Sequence, residues 1–120
     1  MYKISQIPDA YKEKCITADQ AAGLVKDGER ISYGLGCSAP YDIEISLGKR
    51  IKELKGLEIL GTTVVKDEPY AAYLESDSNE QVRFASAHMN GFDRKMNKNG
   101  RCWFIPILFN ELPKYWEAID

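Results

Sequence analysis

The chain is poor in the residues that build metal centres and disulfide frameworks. It has one histidine, His88, and three cysteines, Cys15, Cys37 and Cys102, in 120 residues. No Cys-x-x-Cys pair occurs, which argues against a zinc site. The cysteines are odd in number and far apart, and three free thiols in a reducing cytoplasm are the expectation. No excess of one charge exists either: 16 Lys and Arg face 18 Asp and Glu, for a net charge of −2. The basic residues are scattered, so nothing marks a nucleic-acid surface. Long hydrophobic runs are missing too. The first residues carry no apolar stretch of signal-peptide length. The longest run, residues 103–109, contains Pro106 and is far too short to span a bilayer, so no membrane partner is expected. Low-complexity segments and internal repeats are also absent.

What is present is a one-domain length with 44% hydrophobic residues, enough to bury a core without cross-links. The pattern alternates strand and helix signals. An extended lead-in is expected over residues 1–16, with one charged turn at Tyr11 to Lys14. Thr17-Ala18-Asp19-Gln20 fits a capping box, in which Thr17 and Gln20 each bond the other's backbone N–H. Ala18, Ala21, Ala22 and Val25 then share a helical face that runs to Gly28. A first strand is expected at residues 31–35. A helix follows from near Pro40, capped by Ser38 or Ala39, with Ile43, Leu47, Ile51 and Leu54 as its buried stripe and Gly56 as its stop. Further strands are expected at 57–65, 81–87 and 102–105. Short helices are expected at 69–74, 92–97 and 112–116, and a polar surface loop at 75–80. This order predicts an α/β fold: a mostly parallel sheet with helices on both faces and right-handed crossovers. The apolar, aromatic C-terminal stretch reads as a chain cut before its next strand.

The centre of the pattern is Arg30 to Pro40. Strand, glycine turn and helix start present backbone N–H groups to a ligand in many α/β proteins. Gly34-Leu35-Gly36-Cys37-Ser38-Ala39 formally fits the dinucleotide fingerprint G-x-G-x-x-[G/A]. The acid that fingerprint needs is missing at the end of the next strand, Thr62-Thr63-Val64-Val65. Pro40 also removes an N–H where phosphate would sit. A turn that only allows close helix–strand packing, or one that shapes another ligand site, both stay open. Cys37 at a helix start is a candidate thiol and His88 at a strand end a candidate base, although nothing in sequence pairs them. Each also has a plain structural reading, as a half-buried thiol and a hydrogen-bonded ring. Glu111, before Leu112-Pro113, reads as a loop acid or a substrate contact. Trp103, Phe104, Ile107, Leu108, Phe109, Tyr115 and Trp116 crowd the C-terminal part, either as core or as a surface that another domain covers.

Several spacings together resemble a known family. They are Lys14-x-x-Thr17-Ala18-Asp19-Gln20-Ala21-Ala22, Val25-Lys26-Asp27-Gly28-Glu29-Arg30-Ile31, Gly34-x-Gly36-x-x-x-Pro40 and Leu54-x-Gly56-Leu57-Glu58-Ile59. Phe84, Gly91-Phe92-x-Arg94, Gly100, Pro106 and Glu111-Leu112-Pro113 follow in order. On these the chain resembles the N-terminal part of the acetyl-CoA hydrolase/transferase family, and within it the 4-hydroxybutyrate and butyrate coenzyme A transferases. The resemblance implies a longer enzyme of two similar α/β/α halves. It implies coenzyme A transfer between an acyl thioester and a free carboxylate, through a nucleophilic glutamate on the C-terminal half. No acid here falls in that glutamate's motif, so no catalytic residue is assigned, and the chain alone is expected to be inactive. It implies further that Gly36, Cys37, Ser38, Ala39 and Pro40, with His88 and Glu111, border the acyl substrate. Cys37-Ser38-Ala39 departs from the family's usual Gly-Glu pair. Coenzyme A thioester enters as substrate, with no tightly bound cofactor. The implied partners are acyl-CoA, a small carboxylate, the C-terminal half and further copies of the enzyme. A hydrolase on the same scaffold and a free-standing α/β binding module are the alternatives.

Overall fold

The computed structural model describes residues 8–65 and 68–119, so residues 1–7 of the extended lead-in expected over residues 1–16 lie outside the described residues, and within the rest a short helix occupies Asp9–Lys12 where extended chain with one charged turn was expected. Four strands, β1 (Arg30–Gly36), β2 (Leu57–Val64), β3 (Val82–Ser86) and β4 (Cys102–Phe104), form one sheet in the order β1-β2-β3-β4. Every neighbouring pair is parallel. Helices α1 (Asp9–Lys12) and α2 (Ala18–Gly23) precede the sheet, and α3 (Tyr41–Arg50), α4 (Ala71–Glu75) and α5 (Gly91–Lys98) connect its strands. Helix α6 (Leu112–Ile119) follows a 3-10 turn at Phe109–Glu111. The α/β fold expected from the alternation is the observed one.

Sequential strand order has a consequence. Right-handed crossovers between strands laid down one after another put every connecting helix on the same face. That face carries the core: Tyr33 of β1, Leu57 and Ile59 of β2, Val82 and Phe84 of β3 and Cys102 of β4 meet Leu47, Ala72 and Met96 from the helices. Each fully buried side chain of the size of Phe84 or Leu47 contributes about 2 kcal/mol of apolar burial. Residues of alternate parity point the other way, among them Arg30 and Glu58, register partners whose side chains meet at 3.6 Å. Helix α6 lies toward that second face: the Tyr115 phenol is pushed upward by burial and then by the Glu58 carboxylate, while Arg30 pulls it down.

Four further local expectations are corrected. Thr17 and Gln20 do form both bonds of the capping box, at 3.1 and 2.8 Å, but α2 ends at Gly23 rather than near Gly28. The Leu24 and Val25 amides bond three residues back, to Ala21 and Ala22, which tightens the chain out of the helix. The cap of α3 is Pro40, with no side-chain cap bond, because Ser38 is used elsewhere. The face that α3 buries is also wider than the expected stripe. Glu44, Ser46 and Gly48 are buried beside Leu47, since α3 packs between α2 and α4. A β-carbon on Gly48 would stand 2.7 Å from the Ala71 β-carbon, so this position requires a residue without one. Finally, Ser76 in the polar loop is buried, and its hydroxyl takes a bond from the Arg101 guanidinium.

Candidate functional site

Parallel sheets bind ligands beyond the carboxyl ends of their strands, where the strand-to-helix turns gather. Three such turns stand side by side here, stitched together by backbone carbonyls. The Gly36 carbonyl at the end of β1 accepts the Val65 N–H at 3.2 Å. The Val64 carbonyl at the end of β2 accepts the Asn90 side-chain amide at 2.8 Å. The Tyr41 hydroxyl at the start of α3 donates to the Val65 carbonyl at 2.6 Å.

The first turn is closed on itself. Gly34 and Gly36 have positive φ, 78° and 62°, as the glycine pattern demands. The Ser38 hydroxyl folds back into the space a side chain at Gly34 would fill, only 2.8 Å from such a β-carbon. There it donates to the Leu35 carbonyl at 2.6 Å and accepts the Leu35 N–H at 3.1 Å. The Ser38 N–H goes to Leu35, and the Tyr41 N–H to Ala39. The amides of Leu35, Ser38 and Tyr41 are therefore spent within the turn. Cys37 and Ser38 are exposed, while Gly36, Ala39 and Pro40 are half-buried.

The third turn, from β3 to α5, is built differently. Asn90 caps α5 and shares a capping box with Asp93. The Asp93 carboxylate is buried, and one oxygen accepts both the Ser86 hydroxyl at 2.8 Å and the Asn90 N–H at 3.2 Å. Polar groups buried this way hold a turn in one conformation, because each would be left unsatisfied in another. Burial and then the nearby Asp93 charge push the Cys102 thiol up to about 12, which leaves it an inert core thiol. The same two causes, in the same order, push the Tyr70 phenol upward.

Above this anchored turn lies a cavity of about 550 Å³. Ala87, His88, Met89 and Arg94 form one wall, and Phe104, Pro106, Ile107 and Leu108, running on from β4, form the other. The Arg94 guanidinium donates to the Met89 carbonyl at 2.8 Å and so spans the turn. Glu111 adjoins this second wall through Leu108, whose N–H its carboxylate accepts at 3.1 Å. Of the residues singled out in the sequence, His88 lines the cavity and Glu111 braces it. Gly36, Cys37, Ser38, Ala39 and Pro40 stand two strands away, beyond β2, and do not line it. The aromatic crowding is partly surface: Trp103, Phe104, Leu108 and Phe109 stay 46–67% exposed.

Sequence reasoning left out Arg94 as a site residue, and the wall from Phe104 to Leu108. The segment 105–108 has no period to read. Arg94, the fourth residue of a capped helix, looks like any solvated cation until Met89 is seen beneath it.

A four-stranded parallel sheet with its connecting helices packed against it places the chain in the large class of α/β folds. More narrowly, the chain belongs to the acetyl-CoA hydrolase/transferase N-terminal domain family, which it matches over residues 2–118. It is 32% identical over 108 residues to a butyryl-CoA:acetate CoA-transferase of Anaerostipes caccae, covering 90% of this chain and 24% of that protein. It is 36% identical over 106 residues to a probable butyrate:acetyl-CoA coenzyme A-transferase of Syntrophomonas wolfei, covering 88% of this chain and 23% of that one. A 4-hydroxybutyrate coenzyme A transferase of Clostridium kluyveri is 26% identical over 110 residues, covering 91% and 25%. The chain thus spans about a quarter of the length of the curated relatives it matches. The crystal structure of RipA from Yersinia pestis shares the fold, with a TM-score of 0.64 over 94% of this chain and 27% of that one, at 17% identity. No helix among the described residues is long and apolar enough to cross a membrane.

Proposed function

We propose that this chain is the N-terminal domain of an acyl-CoA:carboxylate coenzyme A transferase, and that it forms part of the acyl-substrate pocket. The observation that carries this reading is the apolar cavity above the β3–α5 turn, joined to membership of the family. In the reaction the acyl–sulfur bond of one thioester breaks and a new one forms on the acceptor acid. The donor acyl group leaves as its carboxylate, so one thioester and one carboxylate enter and one of each leaves. Thioester attack needs a nucleophile and a water-poor pocket. The domain contributes the pocket. The nucleophile, a glutamate, belongs to the C-terminal half of the same polypeptide, and the isolated domain is inactive.

His88 and Glu111 border the acyl group on the cavity side, and Gly36, Cys37, Ser38, Ala39 and Pro40 bound the same edge from across β2, by shape rather than by donors. Coenzyme A thioester is a substrate, with no tightly bound cofactor. The enzyme works in the cytoplasm as a homo-oligomer, with its three cysteines reduced.

The test is an exchange assay on the full-length gene product. Butyryl-CoA and acetate are mixed with it and the thioesters separated by chromatography. Acetyl-CoA appearing in step with free butyrate is the expected result. Free coenzyme A without acetyl-CoA would make the protein a hydrolase, and unchanged butyryl-CoA would refute both readings.

A further inference from the structure

We propose that Arg94 is the carboxylate anchor of the cavity, and that the acid it holds is a short, unsubstituted hydrocarbon-chain acid. Arg94 and His88 are the polar side chains of the lining besides six apolar ones: Ala87, Met89, Phe104, Pro106, Ile107 and Leu108. Among the described residues the exposed Arg94 side chain has a single hydrogen bond, from Nη1 to the Met89 carbonyl, and no acid pairs with it. A guanidinium carries five donors in a planar fork suited to a carboxylate. One donor is spent on holding the group in place, which reduces the freedom lost on binding, and the others remain for a ligand.

The neighbours of Arg94 decide which anion fits. A free phosphate or the diphosphate of a nucleotide would want several convergent donors and would leave six apolar side chains wet. A carboxylate with a hydrocarbon tail satisfies both parts, its head on the fork and its tail against Phe104, Ile107 and Leu108. A cavity of about 550 Å³ is in the range that holds small molecules. A hydroxyl far along the tail would have to compete for His88 or Arg94 or go unbonded, so the cavity discriminates against hydroxylated acids. That this acid is the acceptor or product of a transfer rests on the function proposed above; the anchoring itself does not.

The experiment measures butyrate affinity of the full-length gene product by calorimetry, for the wild type, Arg94→Gln and Arg94→Lys. Losing a charge-assisted hydrogen bond predicts roughly ten- to hundred-fold weaker butyrate binding in Arg94→Gln, with a smaller loss in Arg94→Lys. Coenzyme A affinity stays unchanged. The wild type prefers butyrate to butyramide by roughly ten-fold and to 4-hydroxybutyrate by several-fold, on the same reasoning. These last comparisons need no variant and hold even if a substitution disturbs folding. Equal binding of butyrate and butyramide by the wild type, no butyrate binding at all, or an unaltered Arg94→Gln overturns the anchor. A loss of coenzyme A affinity with butyrate binding intact also overturns it and assigns Arg94 to a phosphate. Arg94-dependent butyrate binding in a protein that exchanges no acyl groups keeps the anchor and refutes the transferase reading.

Discussion

Two turns at the same edge of the same sheet have opposite characters. The turn after β1 has the sequence marks of a ligand loop, two glycines of positive φ and a helix start. Yet its serine hydroxyl and two of its amides bond within the turn or to its first residue. The turn after β3 has no glycine pattern before its helix, only Ala87, His88, Met89 and Asn90. It is held from below by Asp93, Ser86 and Asn90 and opens upward onto a cavity. The difference is the next segment of chain. After β4 the backbone runs across the β3–α5 turn and supplies a second wall, whereas among the described residues the first turn is bonded to the end of β2, at Val65. A cavity needs a fixed floor and an opposing wall, and a glycine turn by itself is neither.

The comparison can be broken at its floor. Asp93→Ala leaves a buried hydroxyl and a half-buried N–H without their acceptor, and should cost about 3 kcal/mol of stability, read by urea denaturation. A loss under about 1 kcal/mol would mean the network does not fix the turn. Gly48→Ala probes the scaffold away from both turns. Its methyl would press into Ala71 at the start of α4, for about 2 kcal/mol lost by the same measurement. Asn90→Ala removes the α5 cap and the tie to the Val64 carbonyl, and about 1.5 kcal/mol is expected. Butyrate binding should weaken with it, since His88 and Met89 lose their support. Ser38→Ala should have the smallest effect, about 0.5–1 kcal/mol, with butyrate affinity unchanged because that hydroxyl serves only its own turn. A large fall in butyrate affinity for Ser38→Ala, with none for Asn90→Ala, would invert the comparison.

The regular parts of this fold were legible in the sequence because periodicity records burial. All four strands fall within a residue or two of their expected ranges, and Leu47, Ile51 and Leu54 are buried as their spacing implies. Polar burial was not legible. Glu44 is no part of the apolar stripe, but it is buried beneath α4, whose first amide, that of Ala71, donates to it. A carboxylate at a helix N-terminus gains from the helix dipole, which nothing local in residues 41–50 announces. The Asn90-x-x-Asp93 pattern could have been read as a cap and box, and would have started α5 at Gly91 instead of Phe92. His88 was legible as a strand-end histidine. Arg94 was not, because its role depends on a carbonyl five residues earlier and on a wall contributed by residues 104–108.

The most direct measurement of the central claim is a butyrate titration of the full-length gene product carrying methyl labels on alanine, isoleucine and methionine, followed by NMR. Met89, Ala87 and Ile107 line the cavity, while Ala39 reports on the first turn. The account predicts saturable shifts at Met89, Ala87 and Ile107, with at most small changes at Ala39. Large shifts at Ala39 with the three cavity methyls silent would put the ligand at the glycine turn and contradict the account.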